Sequence, residues 1–324
     1  MTTMQTRRRA GEYPDIVEYR SSFKNWESRA SVRVKPRRIV AEDDGFQFYF
    51  PPELVPAVQH PLVVERGPGA TRSLLLSRLL QYLQFTTDLE AAAVIPVTLD
   101  ISMGRSGLSL PGAMRRDAFK ITTDEAWHAQ FSDDMMTQIA DRAGTQVRLP
   151  GQPQFLGRLA RVHDEVDADL RGCTPLAFAI VSETLISAIL SDLPRDTRLP
   201  GAVRELIADH AEDEGKHHAY FRTVLRAFWP ALTACERRRL GPWFAELIQT
   251  FLEPDYRGLS YALFEIGLDD AQVAQVLAES YPDSDVRAGI AGAARATVGY
   301  LTEVGALAEP AAHDAFVMAG LIDA

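Results

Sequence analysis

The amino-acid sequence predicts an all-α protein built around a bundle of four long helices. Apolar residues recur three and four positions apart over long segments, as Leu75, Leu79 and Leu83 do, which is the period of a helix with one buried face. Prolines and glycines separate these segments, and no segment shows the alternating pattern that is typical of strands. We therefore expect helices to pack on helices.

The chain divides into an arm and a helical domain. Residues 1–68 lack a sustained helical period and contain several prolines, so we predict an extended N-terminal arm packed on the domain, with a basic first part that is partly disordered. Residues 69–324 are predicted to form a single domain, with the bundle over about 70–228 and additional C-terminal helices over 230–320. The predicted anchors of the arm are Phe46, Phe48, Tyr49 and Phe50.

The boundaries of the helices follow from periodicity and from prolines. Pro96 is expected to end or kink the first bundle helix, because proline lacks the N–H that the helix needs. The predicted helices span 70–95, 111–143, 155–167, 175–191 and 202–228, followed after Pro230 by 236–252, 256–267, 269–280 and 285–307.

The composition is that of a globular protein with an acidic surface. The chain has 46% hydrophobic and 24% charged residues and a formal net charge of -10, which argues against nucleic acid as a principal partner. Its two cysteines, Cys173 and Cys235, show no disulfide or metal-binding spacing and favour a cytoplasmic location. The most apolar segment, 174–190, contains Glu183, so we expect a buried helix and no membrane span.

Titratable side chains interrupt the apolar face of the last bundle helix. His210, Glu214 and His217 are spaced i, i+4, i+7, and they share one helix face with apolar residues such as Ile207 and Phe221. Burying such groups without partners would cost several kcal/mol each. The pattern therefore predicts a bound metal ion.

Three earlier helices carry matching residues. Glu125 and His128 form a second Glu-x-x-His motif, while Glu90 and Glu183 are single glutamates in apolar surroundings. This order on four helices is typical of di-iron and di-manganese carboxylate bundles. Four carboxylates balance two divalent cations, and mixed imidazole and carboxylate ligands favour iron or manganese, which spacing does not separate. An HExxH zinc protease is disfavoured, because a glutamate stands four positions after His210.

Together these residues resemble the di-iron N-oxygenase family, typified by the p-aminobenzoate N-oxygenase of aureothin biosynthesis. The resemblance rests on His210, one turn before the last Glu-x-x-His motif, and on the intervals between the other six residues. It covers about residues 70–228 and implies a ferritin-like four-helix bundle core. The metal ligands that it implies are Glu90, Glu125, His128, Glu183, His210, Glu214 and His217.

The resemblance also implies a function, that of a non-haem di-iron oxygenase in natural-product biosynthesis. Two iron ions would activate O2, the co-substrate, and oxygen would be transferred to an amine to give a hydroxylamine, nitroso or nitro product. His210 would act in catalysis as an additional ligand to one iron. The chain shows no flavin or nicotinamide motif, so we expect an external electron donor. A small-molecule amine, free or carrier-bound, is the expected substrate, and a homodimer is the expected assembly.

Three side chains are candidates for substrate contacts. Tyr82 and Thr86 lie two turns and one turn before Glu90 on the same helix face. Arg198, like Arg195, lies in a loop between two ligand helices, where a guanidinium would suit a substrate carboxylate. The alternatives are that Tyr82 fills the core and that the loop arginines are solvated.

Two other functions are compatible with the same ligands. A di-iron carbon hydroxylase or desaturase would use them for oxidation at carbon. A ferritin-like iron-handling protein would need no organic substrate. The long segment after Pro230 disfavours the iron-handling function, since compact four-helix storage proteins need no such addition.

Overall fold

The protein is α-helical throughout the part of the chain that a computed structural model describes, residues 19–41, 45–144, 148–190 and 193–323. No strand occurs within these ranges, which confirms the predicted all-α fold. The arginine-rich start of the arm, which we expect to be partly disordered, lies outside the described residues.

The helices of the described ranges are numbered in chain order. They are α1 (Trp26–Arg29), α2 (Ser31–Val34), α3 (Pro61–Val64), α4 (Pro68–Leu89), α5 (Ile95–Ser102), α6 (Gly112–Ala143), α7 (Gln154–Glu165), α8 (Thr174–Leu190), α9 (Gly201–Ala231), α10 (Ala234–Leu240), α11 (Trp243–Leu252), α12 (Tyr256–Glu265), α13 (Asp270–Ser280), α14 (Asp283–Glu303) and α15 (Pro310–Met318).

Two groups of long helices form the core of the bundle. α8 packs along α9, α4 and α5 pack along α6, and α6 contacts α9. Residues 177–181 of α8 are completely buried, and each large apolar side chain buried in this way contributes about 1.5–3 kcal/mol. α8 is therefore a central helix that places Glu183 inside the bundle. No helix in the described ranges combines the length and the apolar character needed to cross a membrane.

α4 and α5 form one continuous helix with a π-helical turn between them at Glu90–Val94. In this turn the N–H of Ile95 donates to the carbonyl of Glu90, five residues earlier. Pro96 then lies in the first turn of α5, where a missing N–H costs little. Of the two predicted effects of Pro96, an end or a kink, the end is ruled out, because helical backbone continues to Ser102.

The helices after α9 cover the bundle from outside. α11 packs against α7 and α8, α14 against α8, and α12 against α4. The predicted helix 236–252 is divided at Gly241 and Pro242 into α10 and α11, because proline cannot donate a backbone hydrogen bond. α15 lies within the range predicted for the additional C-terminal helices, 230–320, but after the last helix whose bounds are predicted, 285–307. These elements enclose α8 and shield the interior of the bundle from water.

The arm lies on the bundle through short helices and aromatic side chains. Tyr49 and Phe50, two of the predicted anchors, are buried, and the other two pack against the same hydrophobic core. Phe23 and Trp26 are buried as well. Arm, bundle and C-terminal helices thus contribute to one hydrophobic core.

Candidate metal centre

The seven predicted ligand residues meet in the interior of the bundle. Each of them is at most 1% exposed. Residues three, four and seven apart share one helix face, which explains why each helix presents its residues to the same place. The π-turn contributes Glu90, α6 contributes Glu125 and His128, α8 contributes Glu183, and α9 contributes His210, Glu214 and His217.

Two glutamates occupy the middle of this cluster. The candidate donor atoms form two groups of four, and within each group all donor atoms lie within 4.8 Å of one another. The groups are Glu125, His128, Glu214 and His217, and Glu90, Glu125, His210 and Glu214. Because both groups contain Glu125 and Glu214, the arrangement suits two neighbouring cations that share these carboxylates. Glu183 lies beside the first group, with its Oε2 atom 3.8 Å from His217 Nδ1.

Several of the converging atoms are fully buried and have no hydrogen-bond partner among the described residues. They are one carboxylate oxygen each of Glu90, Glu125, Glu183 and Glu214, and Nδ1 of His217. Glu125 Oε1 lies 2.7 Å from His217 Nδ1, but without hydrogen-bond geometry. Unsatisfied buried polar atoms cost about 1–3 kcal/mol each, and more when they are charged. A bound cation would satisfy them, so the donor set fits a metal site.

Protons offset part of the negative charge of the metal-free cluster. Burial raises the pKa of Glu90 and of Glu183 well above the usual range, and the neighbouring carboxylates raise both further. Burial lowers the pKa of His128, but the carboxylate of Glu125 and its neighbours outweigh this effect and raise it to about 9. The same competition raises the pKa of His217 well above its usual value. The cluster thus binds protons in the place where cations would be bound.

The pKa values of the two shared glutamates, Glu125 and Glu214, and of His210 are lowered instead of raised. Burial alone would raise the pKa values of Glu125 and Glu214, but the charge of His217, together with the charges and hydrogen bonds of the other neighbouring histidines, outweighs burial and lowers both pKa values. Burial lowers the pKa of His210, and the adjacent His128 lowers it further. His210 is therefore neutral, which is the form in which imidazole binds a metal. Its Nε2 atom lies 3.0 Å from Glu214 Oε1.

Two buried aspartates that are absent from the predicted ligand set lie behind the histidines. Asp124 Oδ2 is 3.2 Å from His217 Nε2, and Asp213 Oδ2 is 3.4 Å from His128 Nε2. Each aspartate therefore orients a histidine on the opposite helix, as carboxylates behind metal-bound histidines do. The sequence carries a signal for them, because an aspartate directly precedes each Glu-x-x-His motif.

Tyr82 and Thr86 lie in the interior, and both side chains are buried. Burial raises the pKa of Tyr82, and the negative charges of Glu214 and Glu90 raise it further. This position is compatible with a substrate contact and with a role in the core. A substrate contact by Tyr82 or Thr86 therefore stays a prediction.

Arg198 does not join the cluster. Its guanidinium donates hydrogen bonds to the carboxylates of Asp196 and Glu53. Its carbonyl accepts hydrogen bonds from two backbone N–H groups of the arm. Arg198 thus ties the loop before α9 to the arm, and its contacts give no support to the predicted role in substrate binding.

The comparisons with known proteins agree with the ligand pattern. A family model described as P-aminobenzoate N-oxygenase AurF matches residues 23–305, a range that contains all seven clustered residues and most of the arm. A curated relative, the 4-aminobenzoate N-oxygenase of Streptomyces thioluteus, is 24% identical over 252 residues. This alignment covers 76% of the chain and 75% of the relative.

Proposed function

The chain belongs to the p-aminobenzoate N-oxygenase family, and from this membership we propose that it is a non-haem di-iron monooxygenase that uses O2 to N-oxygenate an amine. The observation that carries the proposal is the convergence of four glutamates and three histidines with unsatisfied donor atoms. Family membership supports the type of reaction, and the cluster offers donor atoms for two cations.

The proposed reaction consumes the amine R–NH2, O2, two electrons and two protons, and it yields R–NHOH and water. Iron ions held by the seven clustered residues would supply the activation of O2. The role of the protein chain is to hold these ions, to exclude water and to orient the amine. The cluster residues are at most 1% exposed, which suits an oxidation that water would otherwise divert. An external donor is proposed to supply the electrons.

His210 is the residue that distinguishes this cluster from a set of four glutamates and two histidines. His210→Ala is expected to lower the rate of N-oxygenation about 10- to 100-fold with little change in folding, because the other six residues still hold metal. Product formation measures the rate of N-oxygenation, iron content measures the retained metal, and the circular dichroism spectrum measures folding. His313→Ala, which replaces a partly exposed histidine on α15, is the control. If His210→Ala has full activity, His210 lies outside the catalytic site.

A cavity of about 250 Å³ beside Tyr82 is the place that we propose for the amine. Its walls include Arg78, Tyr82, Phe251 and two acidic residues, Asp255 and Glu253, the second of which forms an ion pair with Arg158. Among the described residues no carboxylate lies within ion-pair distance of Arg78, and its guanidinium carbon lies 5.4 Å from the centroid of the Phe50 ring. Burial lowers the pKa of Arg78, and the nearby Tyr281 and Asp255 offset this effect only in part. An aromatic amine that carries an anionic group would provide the missing partner.

Arg78→Met is expected to raise KM for a carboxylate-bearing arylamine about 10-fold or more and to change kcat little. The reason is that a hydrogen bond to a charged group contributes about 1.5–3 kcal/mol to binding, without touching the reacting nitrogen. Steady-state kinetics with a carboxylate-bearing arylamine and with its uncharged analogue measure the effect. Arg72→Met, an exposed arginine on the same helix, is the control. An equal rise in KM for both amines would rule out recognition of the anionic group.

The proposed function is tested with a panel of aryl and alkyl amines, isotopically labelled O2 and a chemical reductant. Mass spectrometry is expected to find products with label on nitrogen, and none with the Glu125→Ala variant. Labelled products oxidised only at carbon would contradict N-oxygenation and favour a hydroxylase or desaturase. Oxidised iron that accumulates without an organic product would favour iron handling instead.

A further inference from the structure

The N-terminal arm reaches the candidate metal centre through the two buried aspartates. We propose that the arm positions two metal-ligand histidines through these aspartates, and that metal binding and arm docking therefore strengthen each other. The arm residues concerned are Trp26 and Ser31. This inference rests on the proposed metal site and gives a function to a segment outside the four ligand helices.

The first connection joins Trp26 to His217. The indole N–H of Trp26 donates to both carboxylate oxygens of Asp124, at 2.8 and 2.9 Å. Asp124 Oδ2 lies 3.2 Å from His217 Nε2, while Nδ1 of the same ring faces Glu125. The Phe23 ring stacks on this imidazole, with ring centroids 6.0 Å apart. Trp26 and Asp124 are buried, so water does not compete for these hydrogen bonds and the low dielectric strengthens them.

The second connection joins Ser31 to His128. The backbone N–H of Ser31 donates to Asp213 Oδ2 at 3.0 Å, and the same oxygen lies 3.4 Å from His128 Nε2. The other oxygen of Asp213 accepts from Lys216 Nζ at 2.9 Å. Because the donor is a main-chain N–H, this connection depends on the position of the arm and not on the side chain of Ser31.

Ion pairs hold the arm across the two helices that carry the Glu-x-x-His motifs. The pairs are Arg29 with Glu212, Lys35 with Asp209, Arg38 with Asp209, and Arg37 with Asp134. Single exposed pairs contribute little to stability. Together they align the arm on α6 and α9, so that both hydrogen-bond donors reach their aspartates.

The geometry at the two histidines explains why this alignment matters for metal binding. In both rings Nδ1 faces the cluster and Nε2 faces an aspartate. The hydrogen bond at Nε2 fixes the rotation of the ring and the nitrogen that it offers to the metal. An aspartate that loses its donor from the arm turns towards other donors or water, and the histidine loses its orientation. Because coupling is reciprocal, bound metal also favours the docked arm.

Two substitutions remove the donors one at a time. Trp26→Phe removes the indole N–H and keeps an aromatic ring. Ser31→Pro removes the backbone N–H at the first position of α2, where proline is favoured and its preceding residue has an extended backbone. The backbone conformation at this position thus accepts proline. The proposal predicts that each substitution lowers the affinity for Fe(II) about 10-fold and changes the near-infrared circular dichroism of the Fe(II) protein.

The affinity for Fe(II) is measured in the absence of oxygen by competition with a chelator. The matched control is Trp243→Phe, which makes the same substitution at a half-buried tryptophan of α11. The control is expected to bind Fe(II) as the wild-type chain does. In a double-mutant cycle, Trp26→Phe should have no further effect once Asp124→Ala is present, because Trp26 acts through the Asp124 carboxylate.

Three outcomes would overturn the inference in distinguishable ways. Unchanged affinity and an unchanged spectrum in both arm variants would refute the role of the arm while leaving the metal site intact. Additive losses in the double-mutant cycle would show that Trp26 acts other than through Asp124. A wild-type chain that binds no Fe(II) would refute the proposed function itself, and the inference with it.

Discussion

Glu125→Ala is expected to abolish the binding of both metal ions and to lower the rate of N-oxygenation by about 10³-fold or more. Glu125 belongs to both groups of candidate donor atoms. One of its oxygens lies 2.7 Å from His217 Nδ1 and the other 2.8 Å from His128 Nδ1, closer than Glu214 Oε1, which lies 3.4 and 3.6 Å from the same two nitrogens. Loss of Glu125 also removes the negative charge that holds these two histidines in the cationic form when metal is absent.

Iron content per chain and product formation test this prediction in the same preparations. Glu125→Gln keeps the side-chain volume and serves as a second variant if the alanine variant folds poorly. Asp133→Ala removes an exposed carboxylate from the same helix and is expected to behave as the wild-type chain. A Glu125→Ala variant that retains two iron ions and full activity would contradict the assignment of Glu125 as a shared ligand.

Metal binding is expected to raise the melting temperature of the protein by roughly 5–10 °C. Without metal, the bundle encloses buried donor atoms that lack hydrogen-bond partners. A ligand at about 100 times its Kd stabilises the folded state by about 2.7 kcal/mol per site, and two ions therefore by about 5 kcal/mol. A chain of this size gains about 1–2 °C for each kcal/mol.

The stabilisation should depend on pH in a defined direction. Metal binding must displace protons from groups whose pKa values are raised, among them Glu90, Glu183 and His128. Falling pH therefore weakens metal binding, and rising pH strengthens it up to the His128 pKa of about 9. Thermal unfolding with and without Fe(II), in the absence of oxygen and over a range of pH, measures both effects. No rise in melting temperature, or a larger rise at lower pH, would contradict a site built from these ligands.

The seven clustered residues could be predicted because their signal is local. Glu90 and Glu183 are carboxylates within apolar helical runs, and each Glu-x-x-His motif places its two residues on one helix face. Burial of all seven side chains in one cluster agrees with that pattern. The spacing of residues along a helix therefore carries most of the information about the candidate metal centre.

The features that sequence reasoning missed depend on contacts between distant segments. α1 and α2 have four residues each, too few for a detectable period, and their contacts to Asp124 and Asp213 hold them in place. The π-turn at Glu90–Val94 is not among the predicted features, and it contacts the distant helices α6 and α8. Arg198 has the sequence context of a free loop arginine, and only the fold shows that the arm carboxylate of Glu53 pairs with it.

The ratio of iron to protein tests the central claim most directly. Metal-free chain is incubated with excess Fe(II) in the absence of oxygen, freed of unbound metal and analysed for iron and for protein. We expect two iron ions per wild-type chain and per Asp133→Ala chain, and close to none for Glu125→Ala. A wild-type chain that binds one ion or none, or that retains zinc in place of iron, would contradict a di-iron site formed by the seven clustered residues.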